Sequence, residues 1–406
     1  MVTNALSLGS LVPAAQALLP EIAAIRQRLH RQPEIGLQLP MTQAVIVAGL
    51  ERLGLRPRLG STVSSVTAVI EGAQPGPTIL LRADMDALPL REDTGLPFAS
   101  EVTGVMHACG HDTHVAMLLG GARLLMERRN ELAGRVLLMF QPGEEGYHGA
   151  RFMLDDGLLE SAGAGSTVDS AYGLHISSSY PSGSINLRPG PLLAAADTLR
   201  ITIRGRGGHA SSPHLAIDPI TVAAEIILAL QVMVTRRVDA FDPAVITIAN
   251  VVAGTTTNII PETAFVQGTL RTVSETTRSA VHGHIRQVVE GICAAYGAEA
   301  ALEIEPGYPV TVNDATAAAF IQALATELIG ADAVHTLAAP IMGAEDFSYV
   351  LQRVPGAFAF VGACPPDQDP ATAPTNHSNL VVFDEPAMVV GAAVYAAIAL
   401  RRLTAP

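Results

Sequence analysis

His107, Cys109, His111, Asp112 and His114 place nitrogen, sulfur and oxygen donors within eight residues, in the segment HACGHDTH just ahead of a helical pattern. Donors of this softness at this density suit a transition metal. The plainer reading is a helix start capped by Asp112, with surface histidines around it. Further along, QPGEEG at 141–146 sets Glu144 and Glu145 at the end of an apolar run. A glycine-flanked turn can aim such neighbours apart, one carboxylate toward a metal and the other toward a proton in transit, although Glu-Glu alone is more often a solvated acidic turn. GLHI puts His175 at the end of another apolar run, and TNHSN puts His377 in a polar loop. Either histidine alone would be taken as structural.

Convergence changes that weighing. Cys109, His111, Glu145, His175 and His377 all fall at the ends of expected loops, which independent accidents rarely produce. A Cys/His/Glu set suits zinc, cobalt, nickel or manganese better than magnesium or calcium, which favour all-oxygen shells. The thiolate favours zinc.

The elements that must carry these donors can be read from periodicity. Leu18, Ile22, Ile25 and Leu29 recur at helical spacing over 14–30, the mark of an amphipathic helix. Short apolar runs at 65–72, 78–86, 135–146 and 169–176 read as strands buried on both faces, and THVAMLLGGARLLMERR at 113–129 reads as a helix between two of them. Such alternation predicts an α/β unit with a helix-covered, mixed and largely parallel sheet, and ligand sites in such sheets form outside the carboxyl ends of the strands. Around 182–193 the chain turns rich in Gly and Pro. Strands at 198–207, 244–254 and 262–272, helices at 219–235 and 274–297 and a strand at 298–309 then give a β-α-β-β-α-β order. That order predicts an inserted ferredoxin-like domain. A helix from 314 and the strand-like GAFAFVGAC at 356–364 resume the first domain. The expected division is 1–186 and 306–406 for the catalytic domain and 187–305 for the insertion.

Composition bounds the rest. A chain of 406 residues exceeds the usual size of one core. A formal charge of -13 argues against a nucleic-acid partner. Three scattered cysteines, Cys109, Cys293 and Cys364, make no disulfide framework and point to a reducing, cytoplasmic setting. The first twenty residues lack a charged start and a cleavage pattern. The apolar stretch at 388–400 is shorter than the roughly 20 residues that span a bilayer, so it reads as a buried terminal helix and no membrane partner is expected. GRGGHA at 205–210 lacks the G-x-G-x-x-G spacing and the βαβ setting of a dinucleotide site.

The motifs RADMDALP at 82–89, HACGHD at 107–112, QPGEEG at 141–146, GLH at 173–175, GRGGHAS at 205–211, TTTNIIP at 255–261, GAEDFS at 343–348 and NHS at 376–378 span nearly the whole chain. In order and spacing they resemble the dinuclear-metal aminoacylase and carboxypeptidase family, specifically its hippurate hydrolase and indole-3-acetyl-amino acid hydrolase branch. The resemblance implies that Cys109, His111, Glu145, His175 and His377 hold two divalent metal ions, zinc or manganese before cobalt or nickel, and that Glu144 is the general base. Where the wider family has His-x-Asp, this sequence has Asp84-Met-Asp86, so Asp84 is not assigned as a ligand and Asp86 is expected to orient one. The insertion becomes a lid, which often pairs with its twin in a homodimer. His209 and Asn258 resemble the groups that polarise the scissile carbonyl, and Arg271 resembles a carboxylate-binding position. Without the resemblance these three would be a turn residue, a loop cap and an exposed strand residue.

The expected activity is metal-dependent hydrolysis of a small N-acyl amino acid to a carboxylic acid and an amino acid, with Glu144 moving the proton from water to the leaving amine. The alternatives are a metallo-dipeptidase or carboxypeptidase on small peptides, a thiol hydrolase with Cys109 as nucleophile, and a catalytically silent binding module, against which the intact Glu144 argues.

Overall fold

In the computed structural model the chain is described at residues 8–163 and 167–404; the expectations that reach positions 1–7, 164–166 and 405–406 fall outside them. Contacts divide it into two units. The first comprises Met1–Gly190, Val312–Ala338 and Tyr349–Pro406, and the second Pro191–Thr311 and Ala339–Ser348. The ten residues Ala339–Ser348, read from sequence with the catalytic domain, group with the inserted unit.

An eight-stranded mixed sheet is the frame of the first unit. Its order is Arg58–Leu59, Val66–Glu71, Ala133–Gln141, Gln74–Asp84, Val168–Pro181, Gly356–Cys364, Ile185–Leu187 and Val334–Thr336. The four central strands, from Ala133–Gln141 to Gly356–Cys364, run parallel, so their carboxyl ends open on one edge. Their central stretches are mostly apolar and buried because helices cover them; all nine residues of Gly356–Cys364 are buried. Helices Leu11–Arg31, His111–Glu127 and Ala387–Arg402 pack together, and every residue from Ala387 to Leu400 is buried, as the terminal apolar stretch predicts. Tyr395 on that helix reaches the sheet, where its hydroxyl accepts from the Leu174 N–H at 3.1 Å and donates to the Arg82 carbonyl at 2.5 Å. The two strands it bridges are those that lead to Asp84 and His175.

The second unit is a four-stranded antiparallel sheet in the order Ala244–Ala253, Thr263–Thr272, Ala195–Arg204 and Glu299–Pro306. In chain order this is the β-α-β-β-α-β pattern, with helices Pro219–Arg237 and Glu275–Tyr296 packed on the face that Leu199, Ile201, Ile203, Val266 and Leu270 present. Strand burial alternates with period two, as expected for a sheet with one covered face. Both helices start at side-chain caps: Asp218 accepts from the Ile220 N–H and Ser274 from the Thr277 N–H. Helices Leu8–Arg31 and Pro219–Arg237 are long and apolar enough to cross a membrane by length and composition, and each has its own buried face within its unit.

Candidate metal centre

The donors gather beyond the carboxyl ends of the four parallel strands. Asp84 ends Gln74–Asp84, Glu144 and Glu145 follow Ala133–Gln141, and His175 lies in Val168–Pro181 beside Phe360 of Gly356–Cys364. Gly110 caps the His111–Glu127 helix at φ 85; a Cβ there would stand 2.3 Å from Ile176 Cγ2, so the turn that presents Cys109 and His111 needs glycine. Asp112 is not a helix cap. It is buried and paired with Arg26 at 3.0 Å and His30 at 2.8 Å. Asn376 ties the surrounding loops together by donating to the carbonyls of Cys109 and Ile176, each at 3.1 Å.

Ligand atoms of Cys109, His111 and His175 lie within 4.8 Å of one another, as do those of Cys109, Glu145 and His377, so two triads overlap at the thiol. His377 Nε2 is 3.3 Å from Cys109 Sγ and 3.2 Å from Glu145 Oε1. His175 Nε2 is 3.4 Å from the same sulfur, while its Nδ1–H donates to the Ile176 carbonyl at 2.6 Å. That bond fixes the tautomer and leaves the Nε2 lone pair facing the thiol. His111, Glu144 and Glu145 form a further group within the same span.

Asp86 lies beneath this constellation. Its two oxygens accept the backbone N–H groups of Glu144 at 2.9 Å and Glu145 at 3.0 Å, and Oδ1 is 3.4 Å from His111 Nδ1. Asp84 borders the same constellation: Arg82 donates to Oδ2 at 2.8 Å, His114 bonds Oδ1, and Oδ2 stands 3.4 Å from His111 Nε2. His114 accepts the Ile176 N–H on Nε2 at 2.7 Å, so both its ring nitrogens are engaged. His107 is buried beside His30, and burial pushes its ring down to about 3, which keeps it neutral. His114, one of the clustered donors, and Asp84 thus act as supports, joined by Arg82 and Asn376, which spacing alone did not single out although each sits inside a recognised motif.

The donor set fits divalent cations on three counts. Both ring nitrogens of fully buried His111 lack a directed hydrogen bond. Burial would lower that ring, yet Asp84, Asp86 and Glu145 carry it up to about 10, so the carboxylates hold a proton where a cation could stand. Burial and the carboxylates of Glu145, Glu144 and Asp84 push the Cys109 thiol well up, so a thiolate there calls for positive charge beside it. The same fact disfavours Cys109 as a free nucleophile, which needs a lowered pKa. Although burial would raise Asp84 and Glu145, Arg82, His111 and His114 around the first and His377 and His111 around the second hold them ionised.

The other three candidates lie in the second unit. His209 pairs with Ile259 in a two-residue ladder, and the Ala210 N–H donates to the Asn258 carbonyl at 3.1 Å, so His209 and Asn258 are neighbours. The Ser211 N–H donates to His209 Nδ1 at 3.1 Å, which leaves the hydrogen of a neutral ring on Nε2. Arg271 is not with them. It pairs with Ala196, whereas the ladder continues from the Arg204–Thr263 end of the same strands, about 27 Å away along eight residues. Arg271 is half-buried and donates to the Met342 carbonyl at 3.4 Å.

Residues 80–401 match the model of Peptidase family M20/M25/M40. The chain is 40% identical over 384 residues to Thermostable carboxypeptidase 1 of Saccharolobus solfataricus, covering 94% of this chain and 95% of the relative. It is 39% identical over 393 residues to N-acetylcysteine deacetylase of Bacillus subtilis, covering 95% and 98%. A crystal structure from Bacillus subtilis, described as a dinuclear metal binding peptidase from the M20 family, aligns with a TM-score of 0.82 at 36% identity over 96% of this chain and 100% of that one. With two overlapping donor triads at the ends of parallel strands, the chain belongs to Peptidase family M20/M25/M40 and is a metal-dependent amide hydrolase.

Proposed function

We propose that this chain hydrolyses the amide bond of N-acyl amino acids, with Cys109, His111, Glu145, His175 and His377 holding two divalent cations and Glu144 acting as general base. The observation that carries this reading is the pair of triads sharing Cys109, with Glu144 adjoining His111 and Glu145. The thiolate favours zinc, with manganese next, then cobalt or nickel. When bound, such cations supply Lewis acidity, lowering the pKa of water toward neutrality and polarising a carbonyl. Glu144 takes the proton of the attacking water and delivers it to the departing amine. Asp86 fixes the backbone of Glu144 and Glu145 so that the two carboxylates keep separate tasks. His209 Nε2–H and Asn258 donate toward the oxygen that gains charge, and Arg271 meets the substrate carboxylate.

Arg271 pairs with Ala196 at one end of the lid strands while the His209–Ile259 ladder follows from the other end, an arrangement that favours two copies contributing to one small substrate. The lid edges support a homodimer. The edge strand Ala244–Ala253 carries no charge and exposes Val245, Val251 and Val252, and Leu228 and Val232 are exposed on the adjoining helix. The opposite edge, Glu299–Pro306, is guarded by Glu299, Glu303 and Glu305. The cytoplasm is the compartment we infer, since a free Cys109 is needed. A carboxypeptidase-like action on small peptides is the second reading, favoured by the names of the Saccharolobus solfataricus relative and of the dinuclear metal binding peptidase from Bacillus subtilis.

Glu144→Gln tests the base. The variant should retain bound metal while kcat on N-acyl amino acids falls by roughly 10² to 10⁴. Near-parent turnover would remove Glu144 from that role, and a panel of acyl-amino acids against dipeptides decides between the two substrate classes.

A further inference from the structure

Among the described residues two other than glycine have positive φ, and both are histidines: His377 at 71° and His148 at 59°. A side chain with a Cβ persists in that region only where its surroundings over-determine it, and such positions gather at functional sites. His377 is a proposed ligand. His148 has no assigned task, yet it lies three residues beyond Glu145 on the same loop.

That loop is compact. The Gly149 N–H donates to the Gly143 carbonyl at 3.0 Å, and a Cβ on Gly149 would stand 1.6 Å from the Pro142 oxygen, so the backbone closes on itself around Glu144 to His148. Asp86 grips the near side of the loop through the N–H groups of Glu144 and Glu145. On the far side, His148 Nδ1 and the Tyr349 hydroxyl share a hydrogen bond of 3.0 Å across 201 positions of sequence. Tyr349 is the residue at which the chain re-enters the first unit after Ala339–Ser348. A glycine at 148 would adopt the same backbone without steric cost, but it could not reach Tyr349. The side chain therefore has a use that offsets the strain.

We propose that His148 and Tyr349 are a positioning pair for the reaction: their bond anchors the far side of the loop and fixes the aim of Glu144 while Glu145 is engaged with the cations. This rests on the reading of Glu144 as base and Glu145 as ligand. The pair acts through Glu144 and needs no contact with substrate.

His148→Gly and Tyr349→Phe, each as the metal-loaded full chain, test it. His148→Gly relieves the backbone, so its Tm should equal or exceed the parent's; bound metal and KM should stay at parent values while kcat drops about tenfold or more. Tyr349→Phe should lower kcat to a similar extent, and the double variant should be no slower than the slower single, because both remove one bond. A parent-like kcat in His148→Gly overturns the proposal. So does a drop that follows loss of metal or of Tm, or one that multiplies in the double variant. Glu144→Gln keeps the two readings apart: if it turns over normally the base assignment falls, whereas if it is inactive and His148→Gly is fully active only the positioning pair falls.

Discussion

Cys109, His111 and His175 are approached by groups from distant parts of the chain, while His209 and Asn258 hydrogen-bond through their side chains to residues two positions away. His111 meets Asp84 and Asp86, Cys109 meets His377, and the strands beneath are bridged by Tyr395. His209 bonds Ser211 and Asn258 bonds Thr256, and both are exposed. Donors fixed by tertiary contacts are organised before any ligand arrives. Groups held by local turns must gain order from the substrate, and that order costs conformational freedom. The first region should therefore govern metal affinity and the second substrate use.

The sharpest attempt to break this division is Asp86→Ala. It strips a carboxylate from His111 and from both Glu144 and Glu145 N–H groups, so metal affinity should fall about 10- to 100-fold and turnover with it. His209→Ala should keep the metal and lose roughly 10²-fold in kcat, the scale of one lost oxyanion donor. Arg271→Met should act on KM, by about tenfold or more on carboxylate-bearing substrates and little on amides lacking that group. Titration of apo protein with zinc alongside steady-state kinetics reads all three. A metal defect in His209→Ala would dissolve the distinction. At the sheet edge, Val251→Glu should shift a dimer toward monomer in light scattering, and an unchanged mass would remove that edge as the interface.

Much of this was legible in the sequence because it lies in short-range pattern. Continuous apolar runs and helical spacing located the strands, and the donors at their ends marked the centre. Contacts between distant positions left no such pattern: Arg26 with Asp112 are 86 residues apart, and His148 with Tyr349 are 201 apart. Strand Gln74–Asp84 begins earlier than its apolar run suggests, since exposed Pro75 and Pro77 sit at its open start, where a missing N–H costs nothing. Arg271 was readable as a lid cation, but its distance from His209 depends on the pairing of Arg271 with Ala196 and of Thr263 with Arg204. No local pattern encodes that register.

Each unit also contains an Arg–Asp–His cluster, and the two respond to pH in opposite senses. Asp197 in the second unit is bonded by Arg278 and His282, and despite burial these hold its carboxyl down to about 2. In the first unit Asp112 is bonded by Arg26 and His30. Burial would lower the His30 ring, but Asp112 and Glu92 carry it from 6.5 up to about 9, with Arg26 opposing them. Because the folded pKa is the higher one, the protonated ring contributes stability that is complete below 6.5 and is lost as pH rises through about 9. The Asp197 contribution behaves oppositely, present above the unfolded carboxylate value and lost only in strong acid. His30→Asn should therefore show a Tm deficit of a few degrees near pH 6 that narrows toward pH 9 to 10, because the parent sheds the same interaction over that range. The carboxylates that face the ring, Asp112 and Glu92, both have lowered pKa values and stay ionised throughout that range. Thermal melts of metal-loaded parent and variant at matched pH measure it; a deficit that stays constant from pH 6 to 10 would show that His30 contributes by packing against Phe98 and not by its charge.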